Sequence, residues 1–125
     1  MKSLVTGGAG FIGSNLVDQL VKIGHQVTVL DNLSTGHLSN LKQVKSKIKF
    51  VKVDISKNEE SIKKYFKNVD WVFHIAGLSD MMSSLLNPNK FFQSNVVGTL
   101  NVLNASKNAK IKKFIYVASA SCYGI

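Results

Sequence analysis

Apolar residues in this chain recur with two different periods, and the two alternate along its length. Short runs at Ser3-Leu4-Val5, Val27-Thr28-Val29-Leu30 and Asp70-Trp71-Val72-Phe73-His74-Ile75 are nearly continuous in apolar character, as strands buried on both faces are. Lys49-Phe50-Val51-Lys52-Val53 alternates like a strand with one wetter face, and Lys113-Phe114-Ile115-Tyr116-Val117 supplies a fifth strand. Between these runs the spacing becomes helical. Ile12, Leu16, Leu20 and Ile23 predict an amphipathic helix over 11–23, stopped by Gly24. A short helix is expected over 38–44. Ser56-Lys57-Asn58-Glu59 has capping-box spacing ahead of a helix over 59–67. The stretch 78–87 reads as a loop. Asn87 as N-cap and Pro88 at the first helical position then open a long helix over 88–108, with Phe92, Val96, Leu100 and Leu103 as its buried stripe.

Strands alternating with helices predict an α/β fold: a Rossmann-like, doubly wound parallel sheet with right-handed crossovers. Ligands in such sheets bind beyond the carboxyl ends of the strands. The polar or glycine-rich stretches at 7–13, 31–36, 54–55, 76–79 and 118–121 all follow strands, so they are expected to converge on one cleft.

The first of these stretches, Val5-Thr6-Gly7-Gly8-Ala9-Gly10-Phe11-Ile12-Gly13, carries the most chemistry. It joins a strand to a helix, the context a dinucleotide-binding fingerprint requires. Two registers fit, Gly8-x-Gly10-x-x-Gly13 and Gly7-x-x-Gly10-x-x-Gly13. In either, glycines permit a tight turn, close backbone approach to a pyrophosphate, and close helix–strand packing, with the phosphates on free N–H groups at the helix start. Asp31 ends the second strand 18 residues after Gly13, where a carboxylate accepts hydrogen bonds from an adenosine ribose. The same charge repels a 2′-phosphate, which points to NAD rather than NADP.

Bulk properties narrow the remaining classes. The 125 residues suffice for one domain and one core, and 45% hydrophobic with 18% charged residues is ordinary for a globular chain. No apolar run reaches the ~18 residues of a membrane helix, and no signal-peptide pattern precedes the first strand. A single cysteine, Cys122, makes no intramolecular disulfide, which points to a reducing, cytoplasmic setting. The net charge of +9 raises nucleic acid as a partner. All 16 basic residues are lysine, however, and base readout relies on the arginine fork. A solvated basic surface is the expectation, with neither nucleic acid nor membrane as partner. No metal-ligand cluster is evident.

Taken together, Thr6-Gly7-Gly8-Ala9-Gly10-Phe11-Ile12-Gly13, Asp31-Asn32-Leu33-Ser34-Thr35-Gly36, Asp54-Ile55, His74-Ile75-Ala76-Gly77, Asn95-Val96-Val97-Gly98-Thr99 and Ala118-Ser119-Ala120-Ser121-Cys122-Tyr123-Gly124 resemble the extended short-chain dehydrogenase/reductases of the NAD-dependent epimerase/dehydratase kind. Within that family the chain is most similar to nucleotide-sugar 4-epimerases acting on UDP-sugars. The resemblance spans the whole chain in the family's order. It implies that Gly7, Gly10, Phe11, Ile12 and Gly13 cradle the NAD pyrophosphate. It places Asp31 and Asn32 on the adenosine ribose, with Ser34, Thr35 and Gly36 around it, and Asp54 and Ile55 beside the adenine. Ala76, Gly77 and Ser79 would line the path to the nicotinamide ribose, and Asn95 would support the site from behind. Ser119 matches the catalytic Ser/Thr that hydrogen-bonds the reacting sugar hydroxyl; the alternative for it is a strand-end serine that satisfies backbone groups.

Departures from the family pattern also inform. Ser79 stands where galactose epimerases often carry lysine. Ala120 and Ser121 stand where dehydratase and decarboxylase relatives carry carboxylates, which favours epimerisation over those chemistries. The family's base is a tyrosine in Tyr-x-x-x-Lys, yet Tyr65 and Tyr116 are followed four residues on by Val69 and Ala120, and Tyr123 matches a strand-end motif. The base, the rest of the sheet and a sugar-binding domain are therefore expected beyond Ile125, and 1–125 is expected to be the N-terminal part of a cofactor domain, homodimeric in the full protein through the 88–108 helix. A related dehydratase, decarboxylase or reductase, or a stand-alone NAD-binding module, remains the alternative.

Overall fold

A computed structural model describes residues 1–124 of the chain. Strands β1 (Lys2–Thr6), β2 (Gln26–Asp31), β3 (Ile48–Lys52), β4 (Trp71–His74) and β5 (Lys113–Tyr116) form one sheet in the order β3-β2-β1-β4-β5. Every neighbouring pair is parallel. The order runs outward from β1 in both directions, so the strand order reverses between β1 and β4, where a cleft opens at the carboxyl ends. The helices are α1 (Phe11–Lys22), α2 (Glu59–Lys63), α3 (Met81–Leu86), α4 (Pro88–Phe92) and α5 (Gly98–Asn108).

Alternation along β1 divides the core into two layers. Val5 joins Val17 and Leu20 of α1 with Val27 and Val29 on one face. Leu4 joins Ile62 of α2 and Val102 and Ala105 of α5, with Leu30 and Val72, on the other. Helix α1 closes as expected at Gly24: the N–H groups of Gly24 and His25 donate to the carbonyls of Val21 and Leu20 at 3.1 and 2.9 Å. All sixteen lysines are exposed, and Lys49 and Lys52 protrude from edge strand β3, where charge discourages pairing with another chain.

Several expectations are corrected. The stripe Phe92, Val96, Leu100 and Leu103 is not buried; these residues are 55%, 51%, 55% and 43% exposed. The face that meets the sheet is Gly98, Val102, Ala105 and Ser106. It wins because its small residues let the helix lie close: a Cβ on Gly98 would come within 3.0 Å of Ile55 Cγ1. The 88–108 helix is interrupted by a π-helical turn over Gln93–Val97 between α4 and α5. Residues 78–87 are not simply a loop, because Asp80 caps α3 by accepting the Ser83 N–H at 2.8 Å. The capping box at Ser56 does not form. Asn58 is the N-cap of α2, and the Ser56 hydroxyl turns back to donate to Asp54 Oδ1 at 2.7 Å. Residues 38–47 make two short 3₁₀ turns rather than one helix, and α2 tightens to a 3₁₀ turn over Lys64–Phe66.

Candidate functional site

The carboxyl ends of the five strands surround one cleft of about 590 Å³. The residues that the resemblance assigned to cofactor contacts all line it: the glycine turn, the 31–36 loop, Asp54 and Ile55, Ala76, Gly77, Ser79 and Asn95. Ser119 lines it as well, at the end of β5.

Geometry decides between the two glycine registers. Gly7 holds φ +70, and a Cβ there would meet the Ala76 backbone at 2.7 Å, so the segments leaving β1 and β4 approach too closely for any side chain. A Cβ on Gly13 would collide with the Gly7 carbonyl oxygen and lie 2.8 Å from Gly8 Cα. Gly10 meets only the Gly7 carbonyl, at 3.4 Å, and otherwise opens on the cleft. Gly8 points the other way, its Cβ position 2.6 Å from Val29 Cγ1 in the core. The register facing the cleft is thus Gly7, Gly10, Gly13. The first turn of α1 carries no acidic residue and no side-chain cap. Its leading N–H groups and the positive end of the helix dipole are left for an external anion. A cradle without Cβ atoms, against a bare helix start, fits a pyrophosphate.

The second loop is laced to this turn through Ala9. Asp31, 8% exposed, accepts the Ala9 N–H on Oδ2 at 2.9 Å and the Leu33 N–H on Oδ1 at 2.8 Å. The Ala9 carbonyl accepts from the His37 N–H at 3.0 Å and from Asn40 Nδ2 at 2.8 Å. Each carboxylate oxygen keeps a second lone pair, so Asp31 both pins the loops and retains acceptors toward the cleft. Asp54 takes the Ser56 N–H and hydroxyl on one oxygen. Partial burial pushes its carboxyl up, but the Ser56 hydrogen bonds, with help from Lys57 and Asn32, outweigh burial and hold it below the usual aspartate value.

At the other end, Asn95 in the π-helical turn clamps Leu78 with two bonds. Its Oδ1 accepts the Leu78 N–H and its Nδ2 donates to the Leu78 carbonyl, each at 2.8 Å. Behind it lies His74, fully buried, with Nδ1 2.7 Å from Thr6 Oγ1 and Nε2 2.8 Å from Thr99 Oγ1. Burial lowers its pKa to about 4, so it is neutral. Ser119 caps the last 3₁₀ turn, its Oγ accepting the Ser121 N–H at 3.2 Å. That bond leaves the hydroxyl proton and a second lone pair toward the cleft.

Thr6, His74 and Thr99 stand in the motifs that carry the family resemblance, but the sequence assigns them no role of their own, and Asn40 lies outside every motif; the partners that join these residues lie 25 or more positions away. Among the described residues no cluster of three or more His, Cys, Asp or Glu side chains is placed to hold a metal ion, and no helix is long and apolar enough to cross a membrane.

Residues 3–125 match the model of the NAD dependent epimerase/dehydratase family. The chain belongs to that family. It is 39% identical to UDP-glucose 4-epimerase of Dictyostelium discoideum over 97% of its own length and 37% of the relative's. Among solved structures it resembles UDP-N-acetylglucosamine 4-epimerase from Methanobrevibacter ruminantium M1 in complex with UDP-N-acetylmuramic acid. There the TM-score is 0.90 at 37% identity, covering 98% of this chain and 39% of that one. UDP-glucose-4-epimerase from Stenotrophomonas maltophila, with bound NAD and formylated UDP-arabinopyranose, gives a TM-score of 0.90 at 31% identity, covering 99% and 38%. The chain thus spans about two-fifths of the length of the relatives it matches, over the N-terminal fold of this epimerase/dehydratase family.

Proposed function

We propose that the cleft binds NAD and that the chain is the cofactor-binding portion of a nucleotide-sugar 4-epimerase acting on a UDP-sugar. The observation that carries this is the Gly7, Gly10, Gly13 cradle at the bare start of α1, with the Asp31 carboxylate on one side and Ser119 on the other. In this reading Phe11 and Ile12 donate backbone N–H groups to the pyrophosphate, and Asp31 and Asn32 hold the adenosine ribose, with Ser34, Thr35 and Gly36 closing around it. The ionised Asp54 accepts from the adenine amino group, beside Ile55. Ala76, Gly77 and Ser79 form the wall toward the nicotinamide, which Asn95 braces. A carboxylate at Asp31 disfavours a 2′-phosphate, so NAD is preferred to NADP.

When bound, NAD supplies the hydride acceptor and donor at the sugar C4. The protein's part is to orient the sugar and handle the hydroxyl proton. Ser119 Oγ holds the 4-hydroxyl and relays its proton to a tyrosine base lying beyond residue 125. Ala120 and Ser121 offer no carboxylate for dehydration or decarboxylation, which favours simple epimerisation. Incubating the complete protein with UDP-glucose and UDP-N-acetylglucosamine tests this. The expected products are the C4 epimers, and Ser119→Ala lowers kcat about 100-fold or more with NAD affinity unchanged. NAD binding without sugar conversion would reduce the chain to a binding module.

The exposed Phe92, Val96, Leu100 and Leu103 form one apolar stripe along α4 and α5, suited to packing against the same stripe of a second copy. A homodimer is proposed, and Leu100→Asp in the complete protein is expected to sediment as a monomer. An unchanged dimer would move the interface elsewhere. The exposed lone thiol of Cys122 suits a reducing, cytoplasmic setting.

A further inference from the structure

His74 takes no part in the function just described, yet it is the most buried polar ring in the fold and joins three elements. Its protonation follows from its neighbours. The Thr99 hydroxyl donates its proton to the Asn95 backbone carbonyl at 2.7 Å. Toward His74 it can therefore only accept, so Nε2 carries the ring proton. Nδ1 is then bare and accepts the Thr6 hydroxyl proton, while Thr6 Oγ1 receives the Ala76 N–H at 3.3 Å.

Followed in one direction, the donors run Ala76 N–H to Thr6, Thr6 to His74, His74 to Thr99, and Thr99 to the Asn95 carbonyl. Asn95 then closes the path, because its side chain grips both backbone groups of Leu78. The ring of bonds leaves the cleft wall at Ala76, crosses the interior and returns at Leu78. It braces the 76–79 segment from both ends. Tyr116, also on the cleft, stacks on the imidazole with ring centroids 5.7 Å apart and 17° between planes.

We propose that His74 is a positioning residue: as the neutral Nε2–H tautomer it couples Thr6 at the glycine turn to Thr99 and Asn95, and so fixes the Ala76–Ser79 wall in the shape that receives the nicotinamide end of the cofactor. The proposal rests on the cleft being the NAD site. No other side chain combines an acceptor toward Thr6 with a donor toward Thr99 on a rigid ring. A protonated ring would donate from Nδ1 to Thr6 Oγ1, so the Thr6 hydroxyl would lose its acceptor and turn its proton away, reversing the direction of the bonds at that end. Loss of either threonine hydroxyl would leave a ring nitrogen buried without a partner.

Thr99→Val tests the relay with little change of shape, and His74→Leu and His74→Gln bracket it. Amide hydrogen exchange reads the wall directly. The Leu78 N–H is expected to exchange about tenfold faster in Thr99→Val and His74→Leu, with Val27 and Val29 of β2 unaffected. NAD affinity is expected to fall about tenfold in each, no further in the double variant, and to recover in part in His74→Gln, which keeps one donor and one acceptor. Long-range nitrogen–proton correlation in the parent protein is expected to show protonated Nε2 and bare Nδ1. The opposite tautomer, unchanged Leu78 exchange in Thr99→Val, or fully additive losses would each overturn the relay. Should His74→Leu not fold, Thr99→Val and the tautomer decide. A parent protein that fails to bind NAD would overturn the cofactor reading, while exchange and tautomer still decide whether His74 braces the wall.

Discussion

Gly13→Ala is expected to destabilise the protein by about 3 kcal/mol and to weaken NAD binding about 100-fold. The added methyl group would run into the Gly7 carbonyl oxygen, with Gly8 Cα at 2.8 Å and Gly7 C at 2.9 Å. All three obstacles are backbone, so no rotamer change relieves them. Either α1 must lift from β1 or the turn must open, and both movements change the shape of the proposed phosphate cradle. Gly10→Ala supplies the contrast. Its Cβ meets only the Gly7 carbonyl at 3.4 Å, and its backbone lies at φ −75, which alanine adopts freely. Stability is expected to change by no more than about 0.5 kcal/mol, while the methyl group projects into the cleft at the proposed pyrophosphate position. Thermal melting and NAD titration of the two variants separate the roles. A Gly13→Ala protein that melts and binds like the parent would mean that this close approach is absent in solution.

Acid is expected to remove about 3 kcal/mol of stability between pH 6.5 and pH 4, through His74 alone. Burial depresses its folded pKa from 6.5 to about 4. Within that window the unfolded chain binds a proton that the folded chain refuses, so stability falls as pH falls. Well above pH 6.5 the group is neutral in both states and contributes no slope; well below pH 4 both states are protonated and its effect levels off. The carboxylates act elsewhere. Asp54, Asp70 and Asp80 all titrate below the ordinary 3.8, so their stabilisation is present at neutral pH and is lost only in stronger acid. Urea unfolding at pH 7 and pH 4.5 measures the slope, and His74→Gln should flatten it. A slope that survives the substitution would assign the acid sensitivity to other groups.

What could be read from the chain and what could not divide along a physical line. Period and punctuation are local. Leu4 and Val5 in a short apolar run, Leu16 and Leu20 at helical spacing, and Gly24 after the helix were sufficient to place β1 and α1 and to stop the helix, since each depends on residues within one or two turns. The cleft was legible for the same reason. Every polar stretch at its rim directly follows a strand, and in a parallel sheet those ends share one side.

Faces and long-range bonds were not legible. Phe92, Val96, Leu100 and Leu103 share a face of the helix, but periodicity does not say what covers it. Only packing revealed that Gly98, Val102 and Ala105 lie closer to Ile55 and the sheet, leaving the larger stripe outside. The choice between Gly7 and Gly8 likewise depended on which neighbour, Ala76 or Val29, each would strike. Thr6 and His74 stand 68 positions apart, and His74 and Thr99 stand 25 apart. By itself the sequence determined the order of the five strands, the glycine turn between β1 and α1 and the side of the sheet on which the cleft opens. The tertiary structure decided which helix face is buried, which glycines face the cleft and how His74 is bonded, because these depend on atoms that only folding brings within contact distance.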